Sequence, residues 1–236
     1  MKFNICRFLI IAVLFSSCAA RISGQFDSKG AGNFTVSASL QPRISGLIRS
    51  FQALGGAQQG SNIVDGEGIA ESMAGAPGIA AVSFRNTAPS AIDGQVKITR
   101  IDNFLALGSA GGIVRFEQAA GKQGGTCTIY LDRNMGPEML ALLSPEIAAY
   151  LEALMAPLAT GEAMGKDEYL ELVGSVYGKG IADEIAQSVI SASIDFPGKV
   201  QNVKGGAFLG SRAEFKIPLL DLLVLEAPLS YSVLWN

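Results

Sequence analysis

Gly32-Asn33-Phe34-Thr35-Val36-Ser37-Ala38-Ser39-Leu40 is the stretch whose reading sets the fold class. Phe34, Val36, Ala38 and Leu40 fall on one face, with small polar side chains between them. A period of two with β-branched and aromatic members specifies a half-buried strand. Pro42 ends it. Downstream, Ile44, Leu47, Ile48 and Phe51 recur at three and four, so 43–54 reads as an amphipathic helix closed by Gly55-Gly56. A polar loop, Gln58 to Asn62, leads to a second helix over 65–74 that stops at Gly75 before Pro77-Gly78. Residues 79–86 read as a strand. Asp93-Gly94 reads as a turn, and Gln95 to Ile101 as its antiparallel partner, with Val96 and Ile98 facing inward. Asn103 to Leu107 fits either a helix or a strand. Residues 113–117 and 126–132 are two further strands joined by the Gly-rich 119–125 loop.

The pattern then changes period. Helices are expected over 136–143 and 144–158, with Ser144 as cap and Pro145 in the first helical position. Pro157 bends or ends the second. Two more, 166–176 and 181–190, are separated by Gly178-Lys179-Gly180. Strands return at 191–196, before the turn pair Pro197-Gly198, and at 200–203, 207–216 and 229–235, around the apolar run 218–225. Strands, then helices, then strands, without βαβ alternation, define an α+β fold with a mostly antiparallel sheet. The central helical block, about 134–190, packs on one face. Residues 31–236 suit a single domain, and no internal repeat is visible.

The N-terminus reads differently. Lys2 and Arg7 precede an apolar run, Phe8 to Phe15, then Ser16, Ser17 and Cys18. These are the n-region, h-region and small residues of a secretory signal, and the run is too short to cross ~30 Å of hydrocarbon. The segment resembles a bacterial lipoprotein signal, matched at Leu14, Ser16, Ser17 and Cys18, with Phe15 where the strictest lipobox has Leu. The resemblance implies cleavage after residue 17, an S-diacylglycerol and an N-acyl group on Cys18, and palmitate incorporation. Two or more chains anchor stably where one does not. On this reading 1–17 is signal, 18–30 a lipidated tether, and the product sits in the cell envelope, facing the periplasm or the surface. No apolar span stands near the C-terminus, so attachment rests on Cys18.

Of the chain's 236 residues, 49% are hydrophobic and 17% charged, a globular composition. The formal charge is −3; loss of residues 1–17, which hold Lys2 and Arg7 and no acid, takes it to −5. That balance offers no footprint for nucleic acid. Cys6 leaves with the signal and Cys18 is alkylated, so Cys127 has no disulfide partner. There is no histidine, which excludes Ser-His-Asp, Cys-His and His-based zinc chemistry. Asp65 and Glu67 read as a helix cap, not a calcium loop, and Glu162, Asp167, Glu168 and Glu171 as an acidic helix start. The Gly-rich stretches at 108–112 and 121–125 lack the Lys-Ser/Thr of a P-loop. Cys127, in an apparent strand, reads as a small core residue. No catalytic residue, metal site or cofactor is assigned.

Ile194-Asp195-Phe196-Pro197-Gly198-Lys199-Val200, then Gly205-Gly206-Ala207 and the strand Ala213-Glu214-Phe215-Lys216, resembles the LppM-type lipoprotein domain. That resemblance implies an α+β fold with a curved sheet, likened to lipid-binding folds. The apolar excess at Leu142-Leu143, Leu151, Leu154, Met155, Leu158 and 218–229 either packs the helices on the sheet or lines a groove for an apolar chain. The expectation is a non-catalytic, membrane-anchored lipoprotein that binds a lipid or another apolar ligand. The alternative is a structural or assembly lipoprotein with envelope-protein partners.

Overall fold

A computed structural model of the chain describes residues 19–54, 62–101, 113–118, 124–140 and 145–236. Its first strand is a correction to the sequence reading. Residues 19–26, expected in a tether, form β1 (Ala19–Phe26), which lies inside a sheet with a neighbour on each side. Ala20, Ile22, Gly24 and Phe26 alternate with Arg21, Ser23 and Gln25, so the stretch carries the strand period. Ala20 is buried. Residues 19–26, placed in the tether by the sequence reading, are therefore part of the fold.

β1 pairs antiparallel with β2 (Gly32–Ser39), the strand from which the sequence was read. After α1 (Pro42–Leu54) and α2 (Gly66–Met73), β3 (Ile79–Ala88) and β4 (Ala91–Ile98) form a hairpin that adds to β2. Here the turn is Pro89-Ser90, and Asp93-Gly94 lies within β4. Glycine at 94 answers to packing: it stands opposite Phe84, and a Cβ there would lie 2.0 Å from the ring. Gly24 opposite Phe34 repeats the arrangement, with a Cβ at 2.2 Å. A glycine inside a strand marks close approach as often as a turn.

β5 (Val114–Gln118) and β6 (Gly125–Leu131) begin a second sheet, whereas the sequence reading places all strands in a single one. The helical block follows as α3 (Gly136–Leu140), α4 (Pro145–Ala153), α5 (Pro157–Thr160), α6 (Lys166–Tyr177) and α7 (Lys179–Gln187). Pro157 opens α5 rather than bending α4, and Gly178, at φ 94°, breaks α6 from α7 as expected. The hydroxyls of Tyr169 and Tyr177 donate to the carbonyls of Leu154 and Ala153, fixing α6 against the end of α4. The Glu184 carboxylate on α7 accepts the backbone N–H groups of Arg43 and Ile44, 3.0–3.1 Å away, and so caps α1.

β7 (Val189–Asp195) takes residues 189 and 190 from the expected helix and lies parallel to β1, the single parallel pairing among the described residues of an otherwise antiparallel sheet. β8 (Val200–Lys204) joins the second sheet, while β9 (Gly206–Leu209) and β10 (Arg212–Pro218) return to the first. The expected strand 207–216 is therefore two, turned at Gly210-Ser211 with Gly210 at φ 64°. The run after Pro218 is a short helix, α8 (Leu219–Val224), and β11 (Leu229–Trp235) closes the chain. The first sheet runs β3-β4-β2-β1-β7-β10-β9, and the second β5-β6-β11-β8. The outcome is an α+β fold with predominantly antiparallel sheets.

One face of the seven-stranded sheet is apolar and buried; Phe34, Val36, Val96, Ile190, Ala213 and Phe215 lie on it. On the other face Ser23, Thr35, Ser83, Gln95 and Glu214 are exposed. The helices and the second sheet therefore cover the apolar face only, and one continuous core joins them. No helix among the described residues is long and apolar enough to cross a membrane.

Candidate functional site

Where the two sheets face each other, the core leaves a partly open apolar cavity of about 130 Å³. Its walls come from alternate residues of both sheets. Ile22, Phe34, Ala192 and Phe215 stand on the first; Cys127, Ile129 and Val233 stand on the second, and Leu222 of α8 closes one side. Ser232 is the single polar residue type among the lining residues other than Tyr231 and Cys127.

An aromatic cluster closes one part of the sandwich. Phe26 packs edge-on to Phe34 at 5.1 Å between ring centroids and lies 5.1 Å from Phe116 across the sheets. Trp235 sits 5.2 Å from Phe116 and 4.8 Å from Phe196. Tilted and edge-on pairs in this range each add about 0.5–1.5 kcal/mol beyond area burial. The Trp235 Nε1–H is buried without a hydrogen-bond partner among the described residues. Phe26 was hidden in the supposed tether, and no sequence feature linked Phe116, Phe196 and Trp235, since their contact depends on two sheets meeting. The period-two pattern from Ala20 to Phe26 was the one available signal.

Burial pushes the Cys127 thiol up to about 12. It is thus a neutral wall group, in agreement with the core reading, and holds no thiolate for nucleophilic attack. Cys18 lies outside the described residues, as do Leu142-Leu143, Asn103 to Leu107 and the Gly108–Gly112 stretch. Leu151, Leu154, Leu158, Leu219 and Leu223 are buried in the general core, and among the described residues of the apolar excess Leu222 alone reaches the cavity. The apolar space lies between sheets and not, as one expectation had it, between helices and sheet.

The acidic residues hold the backbone. The Asp65 carboxylate accepts the Gly68 N–H at 3.0 Å and caps α2. Glu168 accepts the Gly165 N–H at 3.4 Å at the start of α6. No group of three or more His, Cys, Asp or Glu side chains converges on a metal-sized space among the described residues. The Arg133 guanidinium donates to the carbonyls of Met164 and Val224 at 3.3 and 3.5 Å, tying the helical block to α8.

No protein-family model and no curated protein matches the chain. Among solved structures it is similar to the folded domain of the Mycobacterium tuberculosis protein LppM, determined by NMR. The likeness covers 93% of this chain and 90% of that one, at 10% sequence identity and a TM-score of 0.42.

Proposed function

We propose that the chain is a non-catalytic envelope lipoprotein, held by acyl groups on Cys18, whose inter-sheet cavity receives part of a lipid or another apolar ligand. The cavity is the observation that carries this reading. Its lining is apolar apart from Ser232, Tyr231 and the neutral Cys127 thiol. Its size limits the ligand. About 130 Å³ is close to the roughly 150 Å³ of an engineered apolar cavity that takes up benzene. It falls below the ~300 Å³ at which pockets begin to enclose whole drug-sized molecules. The cavity thus receives the end of an acyl chain or a compact apolar group, and a longer insertion requires the sheets to part.

Native mass spectrometry of the full chain, extracted from its own membranes, tests this. The expected result is an acyl-bearing adduct beyond the covalent anchor, lost in Ala192→Leu, which fills the cavity. A clean unliganded monomer, or an adduct retained equally by Ala192→Leu, overturns the ligand reading. The second reading, an assembly lipoprotein, is favoured by one feature. β9 is an edge strand with Phe208 46% and Leu209 85% exposed, a form of edge that another chain can extend. Crosslinking from Leu209→Cys to an envelope protein, with no lipid adduct, selects that reading.

A further inference from the structure

We infer that the end of the seven-stranded sheet where β1 begins rests on an anionic bilayer surface, through a row of cations formed by Arg21, Lys216 and Arg85. The inference builds on the acylation of Cys18. Cys18 is bonded directly to Ala19, and Ala19 is already in the β1–β7 ladder opposite Val189. No slack separates the anchor from the sheet, so the anchored chain holds this end at the membrane.

The strand register then decides what faces the headgroups. Arg21 stands opposite Ser37, Ser37 opposite Asp93, and Asp93 opposite Arg85. On its other side Arg21 aligns with Ser191, and Ser191 with Lys216. Directly opposed residues share a face, so one level of the open face carries three cations and one acid across six strands. Arg21, Arg85 and Lys216 are all exposed. The level lies three residues from Cys18, about 10 Å along the strand, and spans about 24 Å across it. The next level away is Ser83, Gln95, Thr35, Ser23, Ser193 and Glu214, with no cation. Beyond that, the level of Ala81, Lys97, Asn33, Gln25, Asp195 and Arg212 carries two cations and one acid, with Arg212 paired to Asp195 at 2.8 Å, so its surplus is one charge against two in the row near the anchor. A chain of net charge −5 after signal removal thus turns a basic edge toward its own anchor. Long cationic side chains reach along a surface toward charge, and attraction to anionic headgroups acts within about 10 Å at ordinary ionic strength.

The test uses the full lipidated chain in vesicles of phosphatidylcholine alone or with added phosphatidylglycerol. A fluorophore is placed by Ser37→Cys, within the row, or by Leu209→Cys, at the opposite end, each in a Cys127→Ala background because Cys127 is only half-buried. The Ser37→Cys label is expected to lose acrylamide quenching only in the anionic vesicles, while the Leu209→Cys label stays accessible in both. Each cation near the surface contributes about fivefold, so Arg21→Gln with Lys216→Gln shifts the docked-to-free ratio by roughly thirtyfold. Salt near 1 M, where the screening length falls to ~3 Å, has the same effect. Equal quenching in both vesicles, or protection of the Leu209→Cys label instead, overturns the inference. The mass of the N-terminal peptide is read first: an unacylated Cys18 overturns the anchoring itself, whereas an acylated chain indifferent to lipid charge overturns only the docking.

Discussion

The two faces of the seven-stranded sheet are made from alternate residues of the same strands, yet different physics governs them. Ile22, Phe34, Val96 and Phe215 point into the space shared with the second sheet, where volume decides what fits. Ser23, Thr35, Gln95 and Glu214 point the other way, where solvation and charge decide. The inner face has no spare Cβ positions beside its rings: Gly24 and Gly94 sit beneath Phe34 and Phe84. The outer face has room and few fixed partners. Equal chemical changes should therefore have unequal effects on the two sides of one strand.

Neighbouring residues give the sharpest test. Phe34→Ala, which removes a buried ring packed on Gly24 and on Phe26, is expected to cost about 3–5 kcal/mol in urea unfolding. Thr35→Ala, one residue along and exposed, is expected to stay within ~0.5 kcal/mol. If the two losses are similar, the contrast between the faces is wrong.

The next effect probes close approach instead of lost volume. Gly94→Val sets a side chain where the Phe84 ring lies 2.0 Å from any Cβ, and overpacking of this kind costs about 1–3 kcal/mol. If the ring is the cause, Phe84→Leu should recover part of that loss, and a double-mutant cycle should show a favourable coupling. A coupling near zero would place the fault in the β4 backbone.

Cys127 sharpens the comparison through pH. Its folded pKa, about 12, exceeds its ordinary value of 9.0, because burial disfavours the thiolate. The stability this represents is fully present below pH 9 and is lost as pH rises toward 12, since only the unfolded chain then ionises. About 1.4 kcal/mol should be gone by pH 10. Urea midpoints measured from pH 7 to pH 10 should fall more steeply for the native chain than for Cys127→Ala. Parallel curves would mean that the thiol is already solvated.

These contrasts also show which parts of the structure were legible in sequence. The α+β class, the helical block, the caps at Asp65 and Gly178 and the strand 32–39 are local patterns, and each survives in the structure. β1 was missed because small and polar residues around Ile22 and Phe26 resemble a linker, while its stability comes from β2 and β7, the latter more than 160 residues away in sequence. Gly94 was misread because a glycine under a ring and a glycine in a turn look alike until the partner strand is known. The cavity was legible only as an excess of apolar residues. Its position depends on the meeting of two sheets, and the residues that drew attention, Leu151 to Leu158, pack elsewhere.

The outer face supplies the smallest expected effect. Arg212 meets Asp195 through two contacts, Nε to Oδ1 at 3.2 Å and a terminal nitrogen to Oδ2 at 2.8 Å. The geometry is bidentate, which on a buried face would make the pair costly to break. Here the side chains are 52% and 34% exposed, so water competes for both ions. Exposed pairs contribute at most about 1 kcal/mol. Arg212→Gln should therefore lower stability by less than ~1 kcal/mol, and by less still near 1 M salt, where charges are screened within ~3 Å. A larger loss that salt leaves unchanged would show that Arg212 works by packing its stem over β9 and not by charge. The outer face would then share the rule of the inner one, and the distinction between the faces would reduce to depth of burial.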